Sequence, residues 1–361
     1  MKFEDFLNNT YLHLPKKRDA EEPFNSYIEK LIDRYVDESK DVEFPEGTDK
    51  SQVTFRLEAI TVGIKDAVKL FYFGKPFDAY TTLKTGIDSS QIKEFWEDYS
   101  FDPNKNFYRI RIKNANYPLS RQELFHIPFN LRGKIRTQRF SIPGFPCLYL
   151  SNSIYTAWEE MKRPNLEEIQ AIRLQNKSTL NLIDLTNSKY GGNYNSERSD
   201  ELKIYDFLMW PLIAACSIKV REVSDHFKPE YIIPQLLLQW IRNNKSVHGI
   251  KFSSTHIDLN ESKSQGNFYN LVLPVIANKE NGYCENLSEM FKLTDVLSWQ
   301  LHQFSSGEAS FSYYDEELAG INSDIINIEI IKGRVLPYHF SPLSNIEMTL
   351  KSMKAMDIDF T

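Results

Sequence analysis

Apolar positions in the first hundred residues recur in steps of three and four, and from about residue 107 they begin to alternate. In NSYIEKLIDRYVDESK, Tyr27, Ile28, Leu31, Ile32 and Tyr35 fall on one helical face, and Asn25 or Ser26 can cap its start. A second run over 53–73 carries Leu57, Ile60, Ile64, Val68 and Phe71 at the same spacing. Gly63 interrupts that run, and Gly74-Lys75-Pro76 predicts its end. A short third helix is predicted over 91–99. The texture changes at FYRIRIK, which starts at Phe107 and alternates apolar with basic residues at the period of a strand. Further strands are predicted at 147–151, 169–175, 180–185, 249–253 and 270–276, and helices at 154–162, 202–216 and 233–243. Beyond 277 the pattern predicts a strand at 325–331 and a helix at 342–356. Strands and helices mix without the regular alternation of a doubly wound sheet, and GxGxxG and P-loop motifs are absent, so an α+β core is expected.

The length of 361 residues suggests two units, or one with large extensions. The division expected is a helical accessory or regulatory segment at 1–100, a core at 101–280 and a C-terminal extension at 281–361 packed on that core. With 41% hydrophobic residues, the chain has ample material for a buried interior. A net charge of −6 argues against a generic nucleic-acid binder, although Arg132, Lys134, Arg136 and Arg139 form a local basic patch. Cys147, Cys216 and Cys284 are scattered and odd in number, which gives neither a disulfide framework nor a zinc site and points to a reducing compartment. The N-terminal segment lacks the apolar core of a signal peptide, and no stretch approaches the roughly 20 apolar residues of a membrane span. A cytoplasmic protein without membrane contact is expected. The seven histidines show no HExxH spacing, so no metal site is expected, and GxSxG is absent.

Candidate chemistry is sparse. Arg109 and Arg111 lie two apart on a predicted strand and share a face, where two guanidinium forks suit a pyrophosphate; a solvated strand face is an equal alternative. Arg139 stands just before the Pro143-Gly144 turn, in what could equally be a surface loop. Glu160 follows a strand, a turn and a short helix, whereas Glu159 points about 100° away on that helix. Most glutamates so placed are simply solvated. Ser253 and Ser254 close a strand-like run and read equally well as a turn.

Taken in order, however, the blocks YR, RFSxxG, LYLSxSxxTAxxE, PQ, GIxFxS and NxVxP across 107–276 resemble the RES-domain family. That resemblance implies a fold like that of ADP-ribosyltransferase toxins and an enzyme that degrades NAD⁺ at the nicotinamide–ribose bond, as a glycohydrolase or phosphorylase. The implied role is that of a toxin or anti-phage effector; a protein ADP-ribosyltransferase and a non-catalytic nucleotide-binding or interaction module are the alternatives. NAD⁺ enters as substrate rather than cofactor, with inorganic phosphate as a candidate co-substrate.

Position by position, Arg109 and Glu160 fall on the family's first arginine and its acid. Tyr108, Arg139, Tyr149, Gln235 and Ser254 fall on accompanying positions, with Arg111 and Ser253 as reserves. The implied roles are Glu160 at the ribose and its developing cation, Arg109 and Arg139 on the pyrophosphate, Tyr149 as an aromatic wall and Ser254 as a hydroxyl donor. An antitoxin or other regulatory partner is implied by such an activity, and self-association stays open. The sequence departs from the family at Pro234 and in a long polar link at 255–269.

Overall fold

The computed structural model describes residues 1–19, 21–94, 100–113, 117–192, 194–195, 197–257, 259, 261–277, 279–305 and 324–360. The elements used below, in chain order, are α1 (Phe24–Ser39), α2 (Lys50–Tyr72), α3 (Pro76–Ser90), β1 (Asn106–Ile112), β2 (Cys147–Ser151), α4 (Ile154–Glu160), β3 (Ile169–Asn176), β4 (Leu180–Leu185), α5 (Asp200–Ser217), α6 (Ile232–Arg242), β5 (Gly249–Ser253), β6 (Tyr269–Pro274), β7 (Phe291–Leu293), β8 (Ile325–Ile331), β9 (Arg334–Pro337), α7 (Pro342–Ser352) and β10 (Met356–Asp357). The fold is α+β. It divides into two compact units that interleave along the chain: Met1–Tyr99 with Arg136–Ile142 and Asn181–Ile250, and Ser100–Ile135 with Pro143–Leu180 and Lys251–Thr361. Residues 181–250 thus group with the N-terminal helices, and the C-terminal segment groups with the strands around 106–176.

The first unit is mainly helical. Asp49 caps α2 by accepting from the Ser51 and Gln52 amides. α2 ends at Tyr72, just before Gly74-Lys75-Pro76 as expected, and Pro76 opens α3 at a first-turn position where a missing N–H costs nothing. The two helices cross at Gly63 and Gly86. A Cβ on Gly86 would stand 2.8 Å from the Ala59 carbonyl oxygen and 3.0 Å from the Gly63 Cα, so only glycine permits this approach. α5 is buried along almost its whole length and contains Pro211. The missing Pro211 N–H leaves the Phe207 carbonyl without its helical donor, and the Tyr35 hydroxyl donates to that oxygen at 2.7 Å. The Tyr35 ring also stacks on Trp210 at 4.4 Å, which locks α1 to α5. The helix predicted over 91–99 falls largely outside the described residues.

In the second unit the strand order is β6–β2–β1–β3–β7–β10, every neighbouring pair antiparallel, with the Lys251–Ser253 end of β5 beside β6. β1 and β3 pair along seven residues, from Asn106↔Gln175 to Ile112↔Ile169. β1 and β2 share only Tyr108↔Ser151 and then part. One face of the sheet buries Tyr108, Ile110 and Ala171 against α4 (Ile154, Tyr155, Trp158) and α7 (Leu343, Ile346, Leu350).

Two buried charges fix α7. Arg173 on β3 donates to the carbonyls of Leu350 and Met353 at the helix C-terminus and to Asn106 Oδ1, where a cation also complements the helix dipole. Glu347 accepts from the Tyr338 hydroxyl at 2.6 Å and from the Ile154 amide at 3.2 Å, so it holds the first residue of α4. Its complete burial pushes the Glu347 carboxyl up from the ordinary glutamate value, against the pull of Lys351 and these donors.

The long link at 255–269 is stapled to the C-terminal segment. Its Gln265–Gly266 joins β8 and β9 in a three-stranded sheet, and Glu329 accepts from the Lys263 amide and the Ser262 hydroxyl. Among the described residues, no helix is long and apolar enough to cross a membrane.

Candidate active site

β2, the turn at Asn152-Ser153 and α4 form a compact strand–turn–helix. Ser153 caps α4 by accepting from the Thr156 amide. Asn152 Oδ1 accepts from the Thr156 hydroxyl and the Tyr269 amide, and its Nδ2 donates to the Asn267 carbonyl. The helix is only seven residues long and buries its first six, so the seventh, Glu160, emerges at its end. Lys162 and Arg163 then adopt positive φ (63° and 55°), which breaks the helix sharply at non-glycine positions.

The two adjacent carboxylates have separate fates. Glu159 takes both a bidentate bond and an ion pair from Arg163, whose guanidinium also donates to the Ile330 and Glu329 carbonyls. That is a structural clamp. Glu160 instead enters a polar cluster. Its Oε1 accepts from the Ser254 hydroxyl at 2.6 Å and from Asn270 Nδ2 at 2.9 Å, while Oε2 stands 3.8 Å from His256 Nε2. Asn270 Oδ1 in turn accepts from the Ser151 hydroxyl at 2.6 Å. Ser254, Asn270 and Ser151 are buried, whereas the Glu160 side chain keeps 30% exposure, so the carboxylate has a supported inner side and an open outer one. Between the two serines at the end of β5, Ser254 is the one bonded to Glu160.

Arg109 lies where β1 and β2 part. Its Nη1 donates to the Tyr149 carbonyl at 2.8 Å, bridging the widening gap, and its Nε is buried without a partner. Among the described residues, no carboxylate pairs with it. Burial pulls the Arg109 guanidinium down to about 9, the positive charge of Arg111 adds to that, and the Tyr149 phenol offsets part of it. Arg111, two residues on, shares the Arg109 face and is also lowered by burial, with Tyr283 and Glu123 opposing. His126 is held neutral: its Nδ1 bonds the Ile127 carbonyl, its Nε2 accepts from the Cys284 amide, and burial with nearby Arg109 lowers it to about 4. Tyr149 and Ser151 lie two residues apart on β2, roughly 7 Å, so one strand carries both the Arg109 contact and the root of the Glu160 cluster.

Three other sequence candidates have the following surroundings. Tyr108, expected beside Arg109 as a substrate contact, is 1% exposed and sits in the core, because neighbours on a strand point to opposite faces. Arg139 and Gln235 belong to the first unit. There Arg139 Nη1 donates to the Cys216 carbonyl at the end of α5 and stacks over Tyr231, while Gln235 Nε2 donates to the Gln138 carbonyl. Pro234, a departure from the family, occupies the third position of α6, where its missing N–H would be unpaired in any case. Asn270, Ser151 and His256 were not singled out from the sequence, yet the first two stand inside the quoted NxVxP and LYLS blocks.

Residues 106–278 match the RES domain. A Bacillus subtilis (strain 168) protein named "Putative toxin YopC" is 32% identical over 308 residues, covering 80% of this chain and 69% of that relative. This chain belongs to the RES-domain family. Within a RES domain so defined, β1 through β6 supply the Arg109 and Glu160 groups, while α7 lies outside the matched segment and still holds α4. No solved structure matches the chain.

Proposed function

We propose that this RES-domain protein consumes NAD⁺ by breaking the bond between nicotinamide and ribose, and that it acts through this as a toxin. The observation that carries the reading is Glu160, a carboxylate held through Oε1 by Ser254 and Asn270 on a side chain that stays 30% exposed, with His256 Nε2 3.8 Å from Oε2. In the step proposed, the C1′–N bond breaks, its electron pair leaves with neutral nicotinamide, and positive charge develops on the ribose. Glu160 Oε2 faces that charge and stabilises it. Water or phosphate then adds to C1′, and a proton leaves to solvent. Arg109, a half-buried cation that pairs with no carboxylate among the described residues, suits the pyrophosphate, with Arg111 on the same face. Ser254 donates its one hydroxyl proton to Glu160, so its role is to orient the acid more than to bind the substrate.

The name of the Bacillus relative supports the toxin reading. An enzyme that destroys NAD⁺ in its own cytoplasm requires restraint, which implies an inhibitory protein partner. The test is NAD⁺ loss by purified protein with and without phosphate, the products resolved by mass. Nicotinamide with ADP-ribose identifies water as acceptor, and nicotinamide with a phosphorylated ADP-ribose identifies phosphate. Label carried onto protein identifies transfer instead. Glu160→Gln is expected to lower turnover by about 100- to 1,000-fold while keeping NAD⁺ binding. Wild-type turnover in that variant refutes the assignment, and absence of NAD⁺ loss under every condition favours a binding module.

A further inference from the structure

We infer that Asn270 is a positioning residue for Glu160, fixing through Ser151 which carboxylate oxygen faces the substrate. The inference rests on the function proposed above. Asn270 is 4% exposed and Ser151 6% exposed, so water does not substitute for either contact. The amide has one workable orientation: an ionised carboxylate only accepts, so Nδ2 must face Glu160 and Oδ1 must face the Ser151 hydroxyl. Two donors, Ser254 Oγ just past β5 and Asn270 Nδ2 on β6, therefore converge on Oε1, while Oε2 receives neither. A glutamate side chain has three rotatable bonds, and α4 ends at this residue, so the helix alone does not orient it. Asn270 and Ser254 do.

The backbone arrangement supports this. Ser151 and Asn270 are direct register partners on β2 and β6, which places both side chains on the same face at the strand ends nearest Glu160. On the other oxygen, His256 Nε2 of the segment after β5 stands 3.8 Å from Oε2. The fixed oxygen is thus held by two neutral side chains.

Three variants read this out. Asn270→Ala removes one donor, and kcat is expected to fall at least tenfold with KM changed less than threefold. Asn270→Asp keeps the shape and places a second carboxyl against Glu160. The two acids then share a proton, and the acid limb of the pH–rate profile is expected to move up by one pH unit or more. Ser151→Ala loosens Asn270 without touching Glu160 and is expected to lower kcat in the same direction by a smaller factor; it also serves should Asn270→Ala fail to fold. Wild-type kcat and an unshifted profile in folded Asn270→Asp overturn the inference. A carbon-13 titration of the Glu160 carboxyl, assigned by its loss in Glu160→Gln, separates this from the NAD⁺ reading. If the wild type consumes no NAD⁺ but the Asn270→Asp titration moves upward, the positioning stands and the activity falls. If the titration is unmoved, the positioning is wrong whatever the activity.

Discussion

Replacing Arg109 with methionine is expected to make the unliganded protein more stable and to remove its response to pyrophosphate. The guanidinium is enclosed, its Nε has no partner, and burial with the charge of Arg111 brings it down to about 9. Arginine stays charged near neutrality, so the depression is felt as a cost to folding. The sign follows from proton linkage: the unfolded chain holds this proton more tightly, so stability rises with pH only above about 9, and at pH 7 the cost is present in full. A depression of about 3.5 on the pH scale corresponds to about 5 kcal/mol. Residual solvent around a half-buried residue reduces this to about 2–3 kcal/mol. Methionine recovers that but loses the bond to the Tyr149 carbonyl, about 1 kcal/mol, which leaves a net gain of about 1–2 kcal/mol. Urea unfolding of both proteins measures it. Pyrophosphate at 100 times its Kd is expected to add about 2.7 kcal/mol to the wild type and nothing to the variant. A variant less stable than wild type without ligand, or equally stabilised by pyrophosphate, refutes the reasoning.

Gly86→Ala would set a methyl group 2.8 Å from the Ala59 carbonyl oxygen, forcing α2 and α3 apart, and is expected to cost about 1–3 kcal/mol, read from the urea midpoint. Arg173→Met leaves the Leu350 and Met353 carbonyls without their donor and is expected to cost about 2–4 kcal/mol and to lower turnover as α7 loosens; unchanged midpoint and turnover argue against the role given to α7. His126 is lowered to about 4, so the unfolded chain takes up a proton first as pH falls below about 6.5. Stability is expected to drop by about 3 kcal/mol between pH 6.5 and 4, and His126→Gln to flatten that slope, measured as urea midpoints across the range.

Elements whose own side chains carry their burial were legible in the sequence. The strands at Cys147–Ser151, Leu180–Leu185 and Gly249–Ser253 have the predicted bounds, because period-two alternation or a short apolar run directly reports a sheet. α3 was not legible: PFDAYTTLKTGIDSS carries three threonines and a glycine, all weak helix formers, and it docks on α2 where Gly86 meets Gly63, a fact held by two segments jointly. Helical spacing set Glu159 and Glu160 about 100° apart, but not the partners that divide them: Arg163 for one, Ser254 and Asn270 for the other. Tyr108 shows the converse, a residue inside a motif that serves the core. The grouping of 181–250 with the N-terminal helices is a property of chain crossing that no local pattern carries.

The bond from Glu347 to the Ile154 amide joins residues 193 positions apart. During synthesis, β1, β2 and α4 emerge from the ribosome long before α7, and until α7 arrives the first turn of α4 lacks its carboxylate acceptor and the core its lid of Leu343, Ile346 and Leu350. The geometry that orients Glu160 therefore becomes complete only late in translation. A nascent chain that already carries Glu160, Ser254 and Asn270 still waits on residues that reach it last, and the bond that seats the start of α4 is among the final ones to form.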